Sequence, residues 1–326
     1  MDTLESSAPS NIALIKYMGK KEGNRPTNPS ISYTLDKLRS FVSIEETTEN
    51  LDHWAPLDRG FLINIDSKGQ QRFLKFFAFL KKEFSIDGNY LVSSGNNFPS
   101  DCGLASSASS FAALTKACFE LAKVKNKKIL IEKGFLDTEA GPNWEKLSSL
   151  SRQGSGSSCR SLFEPWSIWS EEYATDYKCA YQKLHHLAVV VESEKKLVSS
   201  SEAHKRIFTS LCNEGREARA NTRLDSLKDS LENANWRKAF NICWAEFWDM
   251  HCLFETSIPS FGYMNSNTMD VLNQLRLDWD KQNDGPLVTM DAGPNIHLLY
   301  RTDQREIFEK HKSEFTNKYR VWGQWE

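Results

Sequence analysis

The chain has 326 residues, 40% of them hydrophobic, and a formal net charge of -2 from 41 Lys+Arg against 43 Asp+Glu. That length supports a large buried core and excludes a single small domain, while the balanced charge without a long basic run argues against nucleic acid as a partner. Seven cysteines without a C-x-x-C pair give neither a zinc ribbon nor a disulfide framework, and no apolar run reaches the roughly eighteen residues of a membrane span.

The first residues, MDTLESSAPS, place Asp2 and Glu5 where a secretory leader would be basic and then apolar, so a soluble cytoplasmic protein is expected. IALIKYM (Ile12 to Met18) and SISYTL (Ser30 to Leu35) read as strands, joined by the Pro- and Asn-rich loop NRPTNPS. Lys16 and Lys20 stand at the first strand's end, around Tyr17 and Gly19. Such lysines are usually solvated, but they would also suit a polyanion. SKGQQRFLKFFAFLKKEF spaces its apolar residues as an amphipathic helix does.

Asn96 to Val124, NNFPSDCGLASSASSFAALTKACFELAKV, runs from turn residues through a glycine and hydroxyls into a long helix. A helix start presents unpaired N–H groups and a positive dipole end, so Ser106 and Ser107 could meet phosphate or a metal; a plain serine-capped helix is the other reading. The G-x-x-x-x-G-K-[ST] pattern is absent. SRQGSGSSCRS, from Ser151, resembles a linker, yet Arg152 and Arg160 flank glycines that allow close backbone approach, with Ser155, Ser157 and Ser158 offering hydroxyls.

LHHLAVVVES, following the polar EEYATDYK, is a buried-strand candidate that opens a second lobe, with the boundary between residues 183 and 184. NANWRKAFNICWAEFWDMHCLFETS is a long aromatic helix. His251 and Cys252, near Asp249 and Glu246, fall inside that helical pattern and lack a second ligand pair, so core packing is expected there; His185-His186 is read as structural. GPLVTMDAGPNIHLLYR reads as a hairpin around an Asp-Ala-Gly-Pro turn. Asp291 either caps that turn or, beside Lys and Arg, orients or deprotonates a hydroxyl. Strands alternating with helices make the chain α+β.

In the order APSNIALIKYMGK, NRPTNPSISYTL, NNFPSDCGLASSAS, RQGSGSSCRS and VTMDAGPN, from Ala8 to Tyr300, the chain closely resembles the diphosphomevalonate decarboxylases of the GHMP kinase superfamily. The resemblance implies an N-terminal lobe (1–183) like the second domain of ribosomal protein S5, a ferredoxin-like C-terminal lobe (184–326) and an active site in the cleft between them. It implies ATP and Mg²⁺ as cofactors, conversion of mevalonate 5-diphosphate to isopentenyl diphosphate, CO₂, phosphate and ADP, and a homodimer. By matching position, Asp291 stands near the substrate 3-hydroxyl with Lys16 beside it, and Arg160 grips the carboxylate. Asn11, Tyr17, Lys20, Arg72, Ser155 and Ser157 are assigned to the substrate and its diphosphate. Asn97, Gly103, Leu104, Ala105, Ser106 and Ser107 are assigned to ATP, with Ser107 also at the metal. Relatives that act on the 5-phosphate, or that phosphorylate without losing CO₂, are the alternative; kinase-only relatives lack the Asp/Lys pair, so Asp291 with Lys16 favours decarboxylation. The usual tryptophan of the K-Y-W-G-K stretch is Met18 here, and Asp101-Cys102 replace small residues.

Overall fold

The computed structural model describes residues 3–61, 65–99, 106–192, 197–323 and 325. Strand β1 (Leu4–Ile15) pairs antiparallel with the 18-residue β2 (Ser30–Thr47). They belong to a six-stranded sheet with β3 (His53–Pro56), β4 (Asn89–Asn96), β7 (Trp166–Ser170) and β8 (Tyr173–Asp176), ordered β3-β4-β2-β7-β8 with β1 also on β2. Strands β5 (Leu136–Asp137) and β6 (Gly141–Pro142) form a separate short pair. The second sheet is antiparallel, ordered β10-β11-β9-β12, from β9 (Leu184–Val190), β10 (Leu287–Met290), β11 (Ile296–Arg301) and β12 (Arg320–Trp322).

Helices α1 (Ser67–Phe84), α2 (Ser106–Lys125), α3 (Lys127–Glu132) and α4 (Trp144–Gly154) go with the first sheet, and α5 (Ser200–Arg206), α6 (Arg216–Glu232), α7 (Trp236–Glu255), α8 (Ser266–Gln282) and α9 (Arg305–Thr316) follow β9. Local rules account for many of their edges. The Asp66 side chain caps α1 by accepting from Gly69 N, Ser85 closes it in the left-handed region, and Phe73, Phe76, Phe77, Leu80 and Phe84 form its buried stripe. Asn265 and Thr268 make a reciprocal capping box at the start of α8.

Strand β2 serves two cores. Ile31, Tyr33 and Leu35, with Ile12 and Leu14 of β1, pack with α6, α7, α8 and the second sheet. Val42 and Ile44 pack instead with Val92 of β4 and the apolar faces of α1 and α2. The chain's two halves therefore share continuous apolar burial, and Thr289 Oγ1 of β10 donates to the Ala13 carbonyl of β1 at 3.1 Å.

Four local readings change, the second strand running on from Leu35 to Thr47. The first strand begins at Leu4 and ends at Ile15, where the sequence placed it over Ile12 to Met18, because the polar residues before Asn11 pair with β2 and the chain leaves the sheet at Lys16. SRQGSGSSCRS is helical: it ends α4 and continues as a 3-10 helix over Gly156–Leu162. The stretch EEYATDYK includes β8.

Candidate active site

Lys16 lies one residue past the last pair of β1. Its N–H donates to Glu246 Oε1 at 2.9 Å, and its carbonyl accepts from Asn28 Nδ2 at 3.0 Å and Arg216 Nη2 at 3.2 Å. With the backbone fixed on both sides, the ammonium meets Asp291 Oδ1 at 2.8 Å. Lys16 is 1% exposed. Burial lowers its pKa below the ordinary lysine value, with Asp291 pulling the other way.

Asp291 occupies the turn between β10 and β11. Its carbonyl accepts from Gly293 N at 2.8 Å, and His251 Nε2 lies 3.1 Å from the same oxygen. Burial pushes the carboxyl upward, but Lys16, His297 and Arg160 outweigh it and hold the group below the ordinary carboxylate range. The side chain keeps 34% of its surface exposed. The result is an ionised carboxylate with one oxygen on a buried ammonium and an open side for a hydroxyl.

Behind Lys16 the support is ionic. Glu246, fully buried on α7, receives Arg216 Nη2 at 2.5 Å and Arg223 Nη1 at 3.0 Å. Asp249, one turn on, receives Arg216 Nη1 at 2.9 Å and Arg219 Nη2 at 2.9 Å, and also pairs with Arg223. Three guanidiniums thus surround two carboxylates, and Glu246 and Arg216 hold the Lys16 backbone.

Arg160, buried in the 3-10 helix, donates from Nη1 to Ser30 Oγ at 2.6 Å and from Nε to Asn11 Oδ1 at 3.3 Å, with its guanidinium 5.5 Å over the Trp169 ring. Asn11 is anchored in turn, donating to Ser157 O at 3.2 Å and Ser161 Oγ at 2.8 Å. Among the described residues Arg160 Nη2 has no partner. Arg160 lies close enough to Asp291 for each to shift the other's pKa. Arg152 differs: it bonds the Glu172 carboxylate and carbonyl and the Gly23 carbonyl, so it braces the loop.

A second cationic group adjoins Tyr17. The Tyr17 ring sits 4.6 Å from Trp169 and 4.5 Å from His204, and its hydroxyl is buried without a hydrogen-bond partner among the described residues. Gly156 makes this possible, since a Cβ there would lie 2.7 Å from that oxygen. Lys20 Nζ is 5.9 Å from the Tyr17 ring centroid. Arg72 donates to Gly154 O at 2.8 Å and stacks over Phe111 at 4.8 Å. Among the described residues neither cation meets a carboxylate. Burial, and then Arg72, push the Lys20 ammonium down to about 8. Ser155 is buried and Ser157 half-buried, and their hydroxyls make no hydrogen bond among the described residues.

The residues assigned to ATP are less fully drawn together. Asn97 closes a turn, accepting from Arg39 N at 2.8 Å and donating to Lys37 O at 2.9 Å. Ser106 and Ser107 open α2; the Ser106 carbonyl accepts the Ser109 and Ser110 hydroxyls, while Ser107 is exposed. Gly103, Leu104 and Ala105 lie outside the described residues. No group of three or more His, Cys, Asp or Glu among the described residues could hold a metal ion. A metal at Ser107 would therefore draw on the hydroxyl and on phosphate oxygens, a donor set that fits magnesium.

The sequence reading did not find Glu246, Arg216, Asn28, His204 or the His251 contact. One signal existed. Ala239, Phe240, Cys243, Phe247 and Met250 mark the buried face of α7, and Glu246 stands in that stripe.

Comparison with known proteins places these residues in context. Residues 8–180 match the diphosphomevalonate decarboxylase-like N-terminal domain, and residues 186–322 match the mevalonate 5-diphosphate decarboxylase C-terminal domain. The chain is 41% identical to a mevalonate diphosphate decarboxylase from Legionella pneumophila of known crystal structure, with a TM-score of 0.89 over 98% of this chain and 100% of that one. It is 28% identical to the diphosphomevalonate decarboxylase of Debaryomyces hansenii, over 92% of this chain and 80% of the relative. A solved complex holding MVAPP, AMPPCP and magnesium matches at 26% identity and a TM-score of 0.81, covering 98% of this chain and 96% of that one.

Proposed function

The chain belongs to the diphosphomevalonate decarboxylase family, and from that premise we propose that it converts mevalonate 5-diphosphate, with ATP and Mg²⁺, to isopentenyl diphosphate, CO₂, ADP and phosphate. The observation that carries the reading is the pairing of buried Lys16 with the half-exposed Asp291 at 2.8 Å, with Arg160 beside it.

A tertiary hydroxyl leaves poorly, and ATP supplies the phosphoryl group that makes it a leaving group. Asp291, ionised and open on one side, accepts the 3-hydroxyl's hydrogen bond and takes its proton as the oxygen is phosphorylated. Lys16 keeps Asp291 ionised and offsets negative charge at the departing phosphate. Arg160, fixed by Ser30 and Asn11, holds the substrate carboxylate so that its C–C bond aligns with the electron-deficient C3 and its electrons form the new double bond. Tyr17, Lys20, Arg72, Ser155 and Ser157 bind the diphosphate, for which two cations that meet no carboxylate among the described residues are suited. Asn97 and the 103–107 stretch receive ATP, with Ser107 at the metal.

The lobe boundary is drawn between residues 183 and 184, supported by the start of the second sheet at Leu184. A cytoplasmic homodimer completes the reading. Support for it is the family resemblance.

The test incubates purified enzyme with ATP, Mg²⁺ and, separately, mevalonate, its 5-phosphate and its 5-diphosphate, following ADP and CO₂ together. Equal ADP and CO₂ from the diphosphate alone is the expected result. ADP without CO₂ would make the enzyme a 3-kinase, and turnover of the 5-phosphate instead would move the substrate assignment.

A further inference from the structure

The cations around Tyr17 belong to the first lobe, but one side chain reaches them from beyond it. His204, on α5, is 8% exposed, and its ring lies 4.5 Å from that of Tyr17. Its Nδ1 accepts the Gly19 N–H at 3.0 Å. Gly19 needs this support: its φ of +102° lies in the region that favours glycine, and a Cβ would lie 2.5 Å from Thr27 Oγ1. The bond also fixes the tautomer. A ring nitrogen that accepts an amide N–H carries no proton, so the proton of the neutral imidazole sits on Nε2.

Nε2 has no partner among the described residues. That N–H is therefore available to an acceptor that the chain itself does not supply among the described residues. Lys20 lies near enough to act on the ring: burial and then Lys20 push His204 down to about 3, so the imidazole is neutral and the proton stays at Nε2 through the working pH range. Lys20 and His204 thus both stand against the Tyr17 ring, and among the described residues none of the three meets a carboxylate. A group carrying several anionic oxygens would suit the Lys20 ammonium and the His204 Nε2–H.

We propose that His204 contacts the substrate, fixing the Gly19 turn through Nδ1 while donating Nε2–H to the terminal phosphate of the bound diphosphate. The inference rests on the function proposed above and adds one residue from the second lobe to its binding site.

Two substitutions separate the two ring nitrogens. His204→Asn retains an acceptor near Nδ1 and removes the distal donor, whereas His204→Gln places an amide N–H near Nε2 and loses the near acceptor. For the Asn variant, KM for mevalonate 5-diphosphate should rise about tenfold with kcat within about twofold and an unchanged melting temperature, a factor of ten being about 1.4 kcal/mol. The Gln variant should stay within about threefold of wild-type KM. Unchanged KM in His204→Asn would overturn the contact. Calorimetric titration with inorganic pyrophosphate gives the same comparison without turnover, so the contact is tested even if wild-type enzyme releases no CO₂. As a check that needs no variant, the ¹⁵N resonance of His204 Nε2 in wild-type enzyme should shift on adding pyrophosphate, and its constancy would also overturn the proposal.

Discussion

Asp291 and Lys16 are each placed where the other is needed. An ammonium taken out of water without a partner carries a penalty of several kcal/mol, and a carboxylate so close to a lysine stays ionised. Asp291→Asn keeps the shape and removes both the charge and the proton acceptor. It should lower kcat by roughly 10²- to 10⁴-fold while leaving KM for the diphosphate within about threefold. Steady-state kinetics decide this, and a loss below about tenfold, roughly 1.4 kcal/mol of barrier, would remove Asp291 from the chemical step. Lys20 gives a pH signature instead. Its ammonium, lowered by burial and Arg72 to about 8, is charged below that pH and neutral above it, so attraction for an anion is lost as pH rises through 8. In wild-type enzyme kcat/KM for the diphosphate should fall above pH 8, while Lys20→Arg, which stays charged, should carry its plateau to about pH 10. Identical profiles for the two enzymes would place Lys20 away from the phosphate.

At the scale of elements, α7 acts on the site through Glu246. That carboxylate accepts the Lys16 N–H and pairs with Arg216, whose own Nη2 reaches the Lys16 carbonyl. Glu246→Gln preserves volume but leaves buried guanidinium charge under-compensated, a change that costs roughly 3–5 kcal/mol when a buried pair is broken. Urea unfolding should show a loss of about 3 kcal/mol, and kcat should fall more than KM rises because Lys16 is displaced. Wild-type stability in the variant would show that Asp249 alone satisfies the arginines. This coupling was not legible in the sequence, since Lys16 and Glu246 are 230 positions apart and a lysine at a strand end is ordinarily solvated. Elements with local determinants were legible: α1 has its phenylalanine stripe and Asp66 cap, and the hairpin about Asp291 has its Gly-Pro turn. The stretch from Ser151 to Ser161 has no apolar period to reveal a helix. Its order comes from side chains, with Ser158 Oγ donating to the Ser151 and Ser155 carbonyls and Asn11 holding Ser157 and Ser161 from β1.

Across the whole molecule, the two sheets meet through shared apolar burial, the Thr289–Ala13 hydrogen bond and the ionic cluster of α6 and α7. Apolar burial is insensitive to pH, so acid should act through the cluster and through buried histidine. Burial would raise the Asp249 pKa, but hydrogen bonds from Arg219 and Arg223 and the charges of Arg216 and Arg223 lower it from 3.8 to about 2. A carboxylate depressed in the folded state stabilises it above the unfolded pKa, and that contribution disappears as pH falls through the folded one. Here it is about 2 kcal/mol at neutral pH, about half as much at pH 3 and nearly absent below pH 2. His311, bonded to Tyr300 and Asp278, is held by burial at about 4, so its neutral form adds stability above pH 6.5 that is lost as pH falls through 4. Both losses run in the same direction, so wild-type stability should decline from about pH 6 downward at a nearly even rate, through His311 between about pH 6 and 4 and through Asp249 between about pH 4 and 2. Asp249→Asn isolates the carboxylate: its deficit in urea unfolding should be about 2 kcal/mol or more at pH 7 and should shrink by about 1 kcal/mol at pH 3. An equal deficit at both pH values would mean that the ionised Asp249 adds nothing beyond its shape, and that acid opens the molecule elsewhere.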